Sequence, residues 1–277
     1  MKQLLVAFDF SHNAHTALNY AINFANKTRS PLGLVWVDSS HTPDNLLNID
    51  YELRIEIKDH FQEIEQKYGP MLEHGKLEVI LRKGKVYNEL AMVARKLDAD
   101  IIFAGTHGVS GYEQYWIGSN AYRIVTNAPC PVITIRGDYE CRGCVRKILL
   151  PIDSTAETKQ KLPFAAGIAG FFDAEVHLLV LYSSPISVIR KRMYSYAEDA
   201  SKFLEEKGIK HIIKELESDK ISSAILDYAT EIDADLISIM TEQGTTTAHK
   251  FLGPYAQQLI NNSVVPVLSI QSGQHEL

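Results

Sequence analysis

Cysteine, long apolar runs and positive charge are all scarce in this chain, and each scarcity excludes something. Three cysteines in 277 residues cannot build a disulfide framework. No apolar run nears the roughly 20 residues a membrane-spanning helix needs, so no membrane partner is expected. The 28 Lys and Arg fall short of the 34 Asp and Glu, leaving a formal charge of −6. A nucleic-acid partner, which calls for a basic face, is therefore not expected either. The opening Met1-Lys2-Gln3 runs straight into Leu4-Leu5-Val6-Ala7-Phe8, without the longer apolar region and cleavage site of a signal peptide. The cytoplasm is the default location. Two phosphate-binding motifs are also missing: no Gly-x4-Gly-Lys-Ser/Thr and no Gly-x-Gly-x-x-Gly occurs.

What is present is the composition of a soluble globular protein, 45% hydrophobic and 22% charged, long enough for one large or two ordinary domains. Residues 4–8 are an apolar run, as a parallel strand covered on both faces requires. Ala14, Ala17, Leu18, Ala21, Ile22 and Ala25 then form one apolar stripe at helical spacing. A strand over 31–38, an amphipathic helix over about 49–68 stopped by Gly69-Pro70, and a strand over 77–81 follow. Val86, Leu90, Val93 and Leu97 mark a third helix. A strand over 100–104, a helix over 119–125 and a strand over 131–135 close the unit. Strands alternating with helices predict right-handed βαβ units and a parallel sheet.

The pattern then repeats. Leu162, Ala165, Ala166 and Ala169 stand 144 positions after Leu18, Ala21, Ile22 and Ala25. Ile232-Asp233-Ala234-Asp235-Leu236-Ile237 echoes Leu97-Asp98-Ala99-Asp100-Ile101-Ile102 at 135 positions, and Pro266-Val267 answers Pro131-Val132 at the same interval. The drop from 144 to 135 places nine extra residues between the second and third strands of the first half. So dense a repeat predicts duplicated domains, 1–137 and 146–277, joined by a linker over 138–145.

One loop stands out. Gly105-Thr106-His107-Gly108, nine further residues and then Gly118-Ser119 connect the fourth strand to a helix. Glycines let backbone N–H groups approach an anion, and a helix start adds unpaired donors and the positive end of a dipole. Ser119 suits a helix cap or a phosphate ligand. The plainer alternative is a turn that needs positive φ. In the second half Met240 and Gln243 replace the first two glycines, Gly253 remains, and Pro254, which has no N–H, replaces the serine.

The spacing Gly-x2-Gly-x9-Gly-Ser, with Asp9 ending the first strand, resembles the ATP-binding signature of universal stress proteins. The resemblance extends over nearly the whole chain and implies two Rossmann-like domains, each a five-stranded parallel sheet of order 3-2-1-4-5. It also implies a site of Ala7, Phe8, Asp9, Trp36, Ala104, Gly105, His107, Gly108, Gly118, Ser119 and Asn120. The cofactor would be ATP, with Mg²⁺ as an optional companion. Asp9 would lie beside adenine and ribose; its alternative role is a helix cap. Trp36 matches the position that packs on adenine, usually a smaller aliphatic, so its indole either stacks on the base, blocks it, or is a core aromatic. Ala7 and Val86 replace prolines common in the family, while Pro151 keeps one. His107 reads as a phosphate contact, a proton carrier or a polar lining residue.

Cys141-x-x-Cys144 is half a zinc site, a redox pair or two plain thiols, and Cys130 reads as a small buried hydrophobe. No nucleophile–base pair is evident, so catalysis beyond slow ATP hydrolysis is not expected. The function expected is a nucleotide-dependent regulator or scaffold in the stress response. Its rivals are a nucleotide-independent scaffold working through protein contacts and an ATP-using ligase or pyrophosphatase on a related fold, which the segment after Asp9 does not match. In the family the final strands pair. Here Pro131-Val132-Ile133-Thr134-Ile135 and Pro266-Val267-Leu268-Ser269-Ile270 share one chain and are expected to pair antiparallel with each other. That makes an intrachain pseudo-dimer, leaving a homodimer and an unidentified protein partner open.

Overall fold

A computed structural model of the chain describes residues 1–39, 47–107, 118–241 and 252–273. The first half runs β1 (Leu4–Ala7), α1 (His12–Thr28), β2 (Leu32–Asp38), α2 (Leu47–Tyr68), β3 (Leu77–Lys83), α3 (Val86–Lys96), β4 (Ile101–Gly105), α4 (Ser119–Asn127) and β5 (Val132–Ile135). The second repeats it as β6 (Lys147–Ile152), α5 (Leu162–Phe172), β7 (Glu175–Tyr182), α6 (Ser187–Glu206), β8 (His211–Glu217), α7 (Ile221–Glu231), β9 (Leu236–Met240), α8 (Pro254–Asn262) and β10 (Val267–Ile270). Each half has the order 3-2-1-4-5, and the two join into one sheet, β3-β2-β1-β4-β5-β10-β9-β6-β7-β8. All neighbours are parallel except the central pair. There β5 and β10 run antiparallel, with Thr134 opposite Val267 and Val132 opposite Ser269.

The alternating side chains of each strand feed two cores. Leu4 and Val6 face one side with α1, α2, α5 and α6, while Leu5 faces the other with α3, α4, α7 and α8. Both cores run through the two halves. Phe24 of α1 packs on Phe172 of α5 with ring centroids 4.8 Å apart. Tyr122 of α4 accepts the Leu252 N–H through its hydroxyl at 3.3 Å, and Gln271 donates to the Val125 carbonyl. The residues after β5 lie on this seam: Asn23 donates to the Cys141 sulfur at 3.0 Å, and Arg142 pairs with Asp233.

The repeated Asp-x-Asp has a structural cause. Asp98 and Asp233 take left-handed φ values of 50° and 53° where the preceding helix turns toward the strand, a conformation Asp tolerates better than most residues. Two residues on, Asp235 is buried and accepts from Arg146 N at 2.8 Å and Lys147 N at 3.0 Å. Asp100 does the same for Lys2 N and Gln3 N. Each carboxylate therefore ties the start of the half's first strand to the start of its fourth.

The halves differ where the first helix begins. Ser11 caps α1, its hydroxyl accepting from Ala14 N at 3.2 Å. The matching Thr155 leads instead into a 3-10 turn, Ala156–Lys159, and α5 begins only at Leu162. Pro163 is the physical reason: it lacks an N–H and fits only a first helical turn. Replacing Asp235 with Ala leaves two part-buried N–H groups without their acceptor, and we expect a loss of about 1–3 kcal/mol. A urea midpoint that falls at unchanged m would show it.

Candidate functional site

The strand order reverses between β1 and β4, and a crevice opens beyond their C-terminal ends, as it does in doubly wound sheets. It is a cavity of about 550 Å³. Ala7, Phe8, Asp9, Trp36, Ala104, Gly105, His107, Gly118, Ser119 and Asn120 all border it, although they come from four separate stretches of chain. Gly108 lies outside the described residues, as do Gln243 and Gly244. Sheet order sets the polarity of the crevice. β2 brings Trp36 and Asp38 to one side of β1, while β4 brings Gly105 and the start of α4 to the other.

The helix start is built for a ligand with acceptors. Gly118 precedes α4 with φ −56° and ψ 146°, and no side chain among the described residues caps the helix. The N–H groups of its first turn are therefore not spent on a cap. Gly118 N donates to the Thr106 carbonyl at 2.8 Å, closing the neck of the loop between them. Thr106 Oγ1 bonds His107 Nδ1 at 2.9 Å, while His107 Nε2 is buried with no partner among the described residues. A polar atom buried without a partner costs free energy unless something else meets it.

Gly105 is explained by contact, not by positive φ. Neither Gly105 nor Gly118 has one. A Cβ on Gly105 would lie 2.7 Å from the Asn13 Cβ and 2.9 Å from the Asn13 carbonyl carbon, so β4 and α1 approach too closely for any side chain. Asn13 in turn donates to the His107 carbonyl at 2.9 Å. Sequence reasoning missed Asn13, because what marks it is a contact across 94 positions and not a local pattern; Thr106 stood inside the motif but was given no role.

Asp9 is exposed and does not cap α1; its Oδ1 accepts from Ser11 N at 3.1 Å, and Ser11 makes the cap. Phe8 turns its ring into the core, edge-on to Phe10 at 5.2 Å and His15 at 5.1 Å, so it offers the crevice mainly backbone. Trp36 is half-buried, packed on the same core and facing the cavity. Among the described residues no trio of His, Cys, Asp or Glu is placed to hold a metal ion. Burial pushes the Cys141 thiol above its ordinary value, and the Cys130 thiol up to about 12.

A second cavity, about 450 Å³, occupies the equivalent crevice of the other half, bordered by Asp153, Met240 and Tyr255. Gly253 repeats the Gly118 backbone at φ −57° and ψ 151°, but Pro254 and Tyr255 follow in place of Ser119 and Asn120. Lys161, where the first half has the core residue Ala17, also lines it. Only 2% of Lys161 is exposed, and burial lowers its ammonium to about 8.

Fold and crevice define a doubly wound α/β protein with one crevice per half at its strand-order reversal. The chain belongs to the universal stress protein family, whose model matches residues 1–136 and again 145–271. A putative universal stress protein of Staphylococcus saprophyticus is 27% identical over 139 residues, 49% of this chain and 83% of its own length. A universal stress protein of Archaeoglobus fulgidus superposes at a TM-score of 0.81 and 19% identity, over 98% of both chains. A putative one of Pseudomonas aeruginosa does so at 0.68 and 18%, over 98% of this chain and 93% of that one. No helix among the described residues is long and apolar enough to cross a membrane.

The Lys161 shift has a stability consequence of definite sign. Below pH 8 the lysine is charged in both folded and unfolded chains, and its burial cost is fully present. Between about 8 and 10.5 the folded chain has shed the proton and the unfolded chain has not, so stability climbs with pH. Lys161→Met should therefore stabilise by about 2–4 kcal/mol at pH 7. The gain should fade between pH 8 and 10.5, which urea titrations of both chains across that range would test.

Proposed function

We propose that the first half binds one ATP per chain and that the protein works as a nucleotide-dependent regulator or scaffold in the stress response. The supporting observation is the uncapped start of α4 beside the unpartnered Nε2 of His107, both bordering the 550 Å³ cavity. Phosphates beside Ser119 and Asn120 would meet N–H groups that no cap occupies and the positive end of the α4 dipole, the Gly118 N–H being held by Thr106. Base and ribose would then reach toward Asp9 and Trp36, where a carboxylate accepts from amino or hydroxyl groups and an indole offers a flat face. Asp9 and Asp38 are the carboxylates bordering the crevice, and at that end they would repel phosphate. The residues fit a nucleotide better than a dedicated Mg²⁺ site, and no hydrolytic step is assigned. The two functional units are residues 1–137 and 146–277, with 138–145 between them, and the cytoplasm is the compartment this reading assumes.

Gly118→Val keeps an allowed backbone but puts a side chain where phosphate would sit, so it should abolish ATP binding with little change in stability. Calorimetry returning two equal sites per chain, or unchanged affinity in that variant, would overturn the reading. Gly105→Ala is the contrasting case: its overlap with Asn13 should cost about 1–3 kcal/mol of stability with or without nucleotide.

Trp36→Ala should weaken ATP binding by about 1–3 kcal/mol if the indole stacks on the base. Tighter binding would show that it obstructs the pocket. Trp116, the other tryptophan, lies outside the described residues and must be replaced by Phe for a clean fluorescence signal.

A further inference from the structure

The second crevice is not a worn copy of the first, because its chemistry has been rebuilt around a buried cation. The shortened α5 brings Lys161 to the cavity wall, where full-length α1 has Ala17 in its core. Among the described residues the Lys161 side chain has one hydrogen bond, to Thr158 Oγ1 at 2.9 Å. Thr158 is itself fully buried and also accepts from Asp153 N at 3.2 Å. An ammonium has three N–H groups, so two remain without an acceptor among the described residues, in a place water barely reaches. The cavity wall is mostly apolar, with Ile152, Leu181, Ile221, Ile239 and Met240 beside polar members such as Asp153. Neither α8, which opens on a proline, nor the neighbouring Asp153 and exposed Glu157 favours a polyphosphate.

We propose that this second cavity binds a small monocarboxylate with an apolar body, its carboxylate on the Lys161 ammonium and its body against Ile221 and Ile239. One negative charge matches one buried cation, whereas several would face Asp153. Such a ligand also accounts for a lysine that lowers the stability of the empty protein, because the nearby Asp153 carboxylate offsets its burial cost only in part. This site is independent of nucleotide binding in the first half, and the two fail separately.

The test uses the full chain with octanoate as probe, and 1-octanol and ATP as controls. Calorimetry should give one octanoate per chain, with at least tenfold weaker binding of 1-octanol. ATP held at saturation should leave octanoate affinity unchanged. Lys161→Met should lower octanoate affinity at least tenfold while leaving ATP binding intact. In the unmutated protein the Lys161 side-chain carbon resonance, assigned by its loss in Lys161→Met, should move on adding octanoate and stay put with 1-octanol. Undetectable octanoate binding, equal affinity for the alcohol, displacement by ATP, or unchanged affinity in Lys161→Met would each overturn the proposal.

Discussion

The antiparallel pairing of β5 with β10 is the contact on which the rest of the molecule depends. A five-stranded parallel sheet of order 3-2-1-4-5 leaves its last strand open, with a row of unpaired N–H and C=O groups. Here each half covers the other's edge, and both cores continue across the seam. Val132, Ile133, Val267 and Leu268 are buried because of that pairing, whereas on a lone half they would border an open edge. Tethering makes the pairing intramolecular, at an effective concentration that no second molecule readily matches. The seam is reinforced away from the sheet by Phe24 on Phe172, by the link between Tyr122 and Leu252, and by the Arg142–Asp233 pair.

That arrangement separates two demands that a single-domain protein would have to meet with one surface. The second half is held in place by its final strand and the Asp235 tie, neither of which borders its crevice, and by two cores that edge it only through residues such as Ile152, Leu181 and Ile239. Its crevice was therefore free to change. Pro163 shortens α5, Pro254 removes a donor from the start of α8, and Lys161 stands where the first half buries Ala17. In the first half the crevice has less freedom. Gly105 is pinned by Asn13, Asn13 holds the His107 carbonyl, and Gly118 closes on Thr106.

Much of this was legible in the sequence because its cause is local. Apolar runs of strand length, the stripe from Ala14 to Ala25 and the 144 and 135 intervals follow from element periods and duplication, and the elements appear at those places. The nine-residue difference also falls between the second and third strands, where the structure shows longer connections on both sides of α2 than of α6. The candidate residues converge because sheet topology dictates where strand ends meet. The physical reasons behind individual residues were much less legible. Gly105 looked like a phosphate contact or a turn, yet what forbids a side chain there is Asn13. For Asp9 the alternative to a nucleotide contact was a helix cap, but the cap is Ser11 two residues on.

Lys161 is the clearest case of what periodicity hides. In sequence it precedes Leu162-Pro163 and follows Lys159-Gln160, which reads as a polar helix approach exposed to water. Its burial arises from a comparison between halves: where α1 is already well under way, the chain is still in a 3-10 turn. A lysine at the mouth of a helix normally snorkels to solvent, since its stem can lie on apolar surface while its charge stays wet. This one stays inside, against Thr158, at a cost to folding that no ion pair among the described residues offsets. A core position that accepts alanine in one half and tolerates a buried charge in the other is not under the same constraint twice. Packing explains the alanine. For the lysine, packing supplies only the cost, and the return has to come from what enters the cavity beside it.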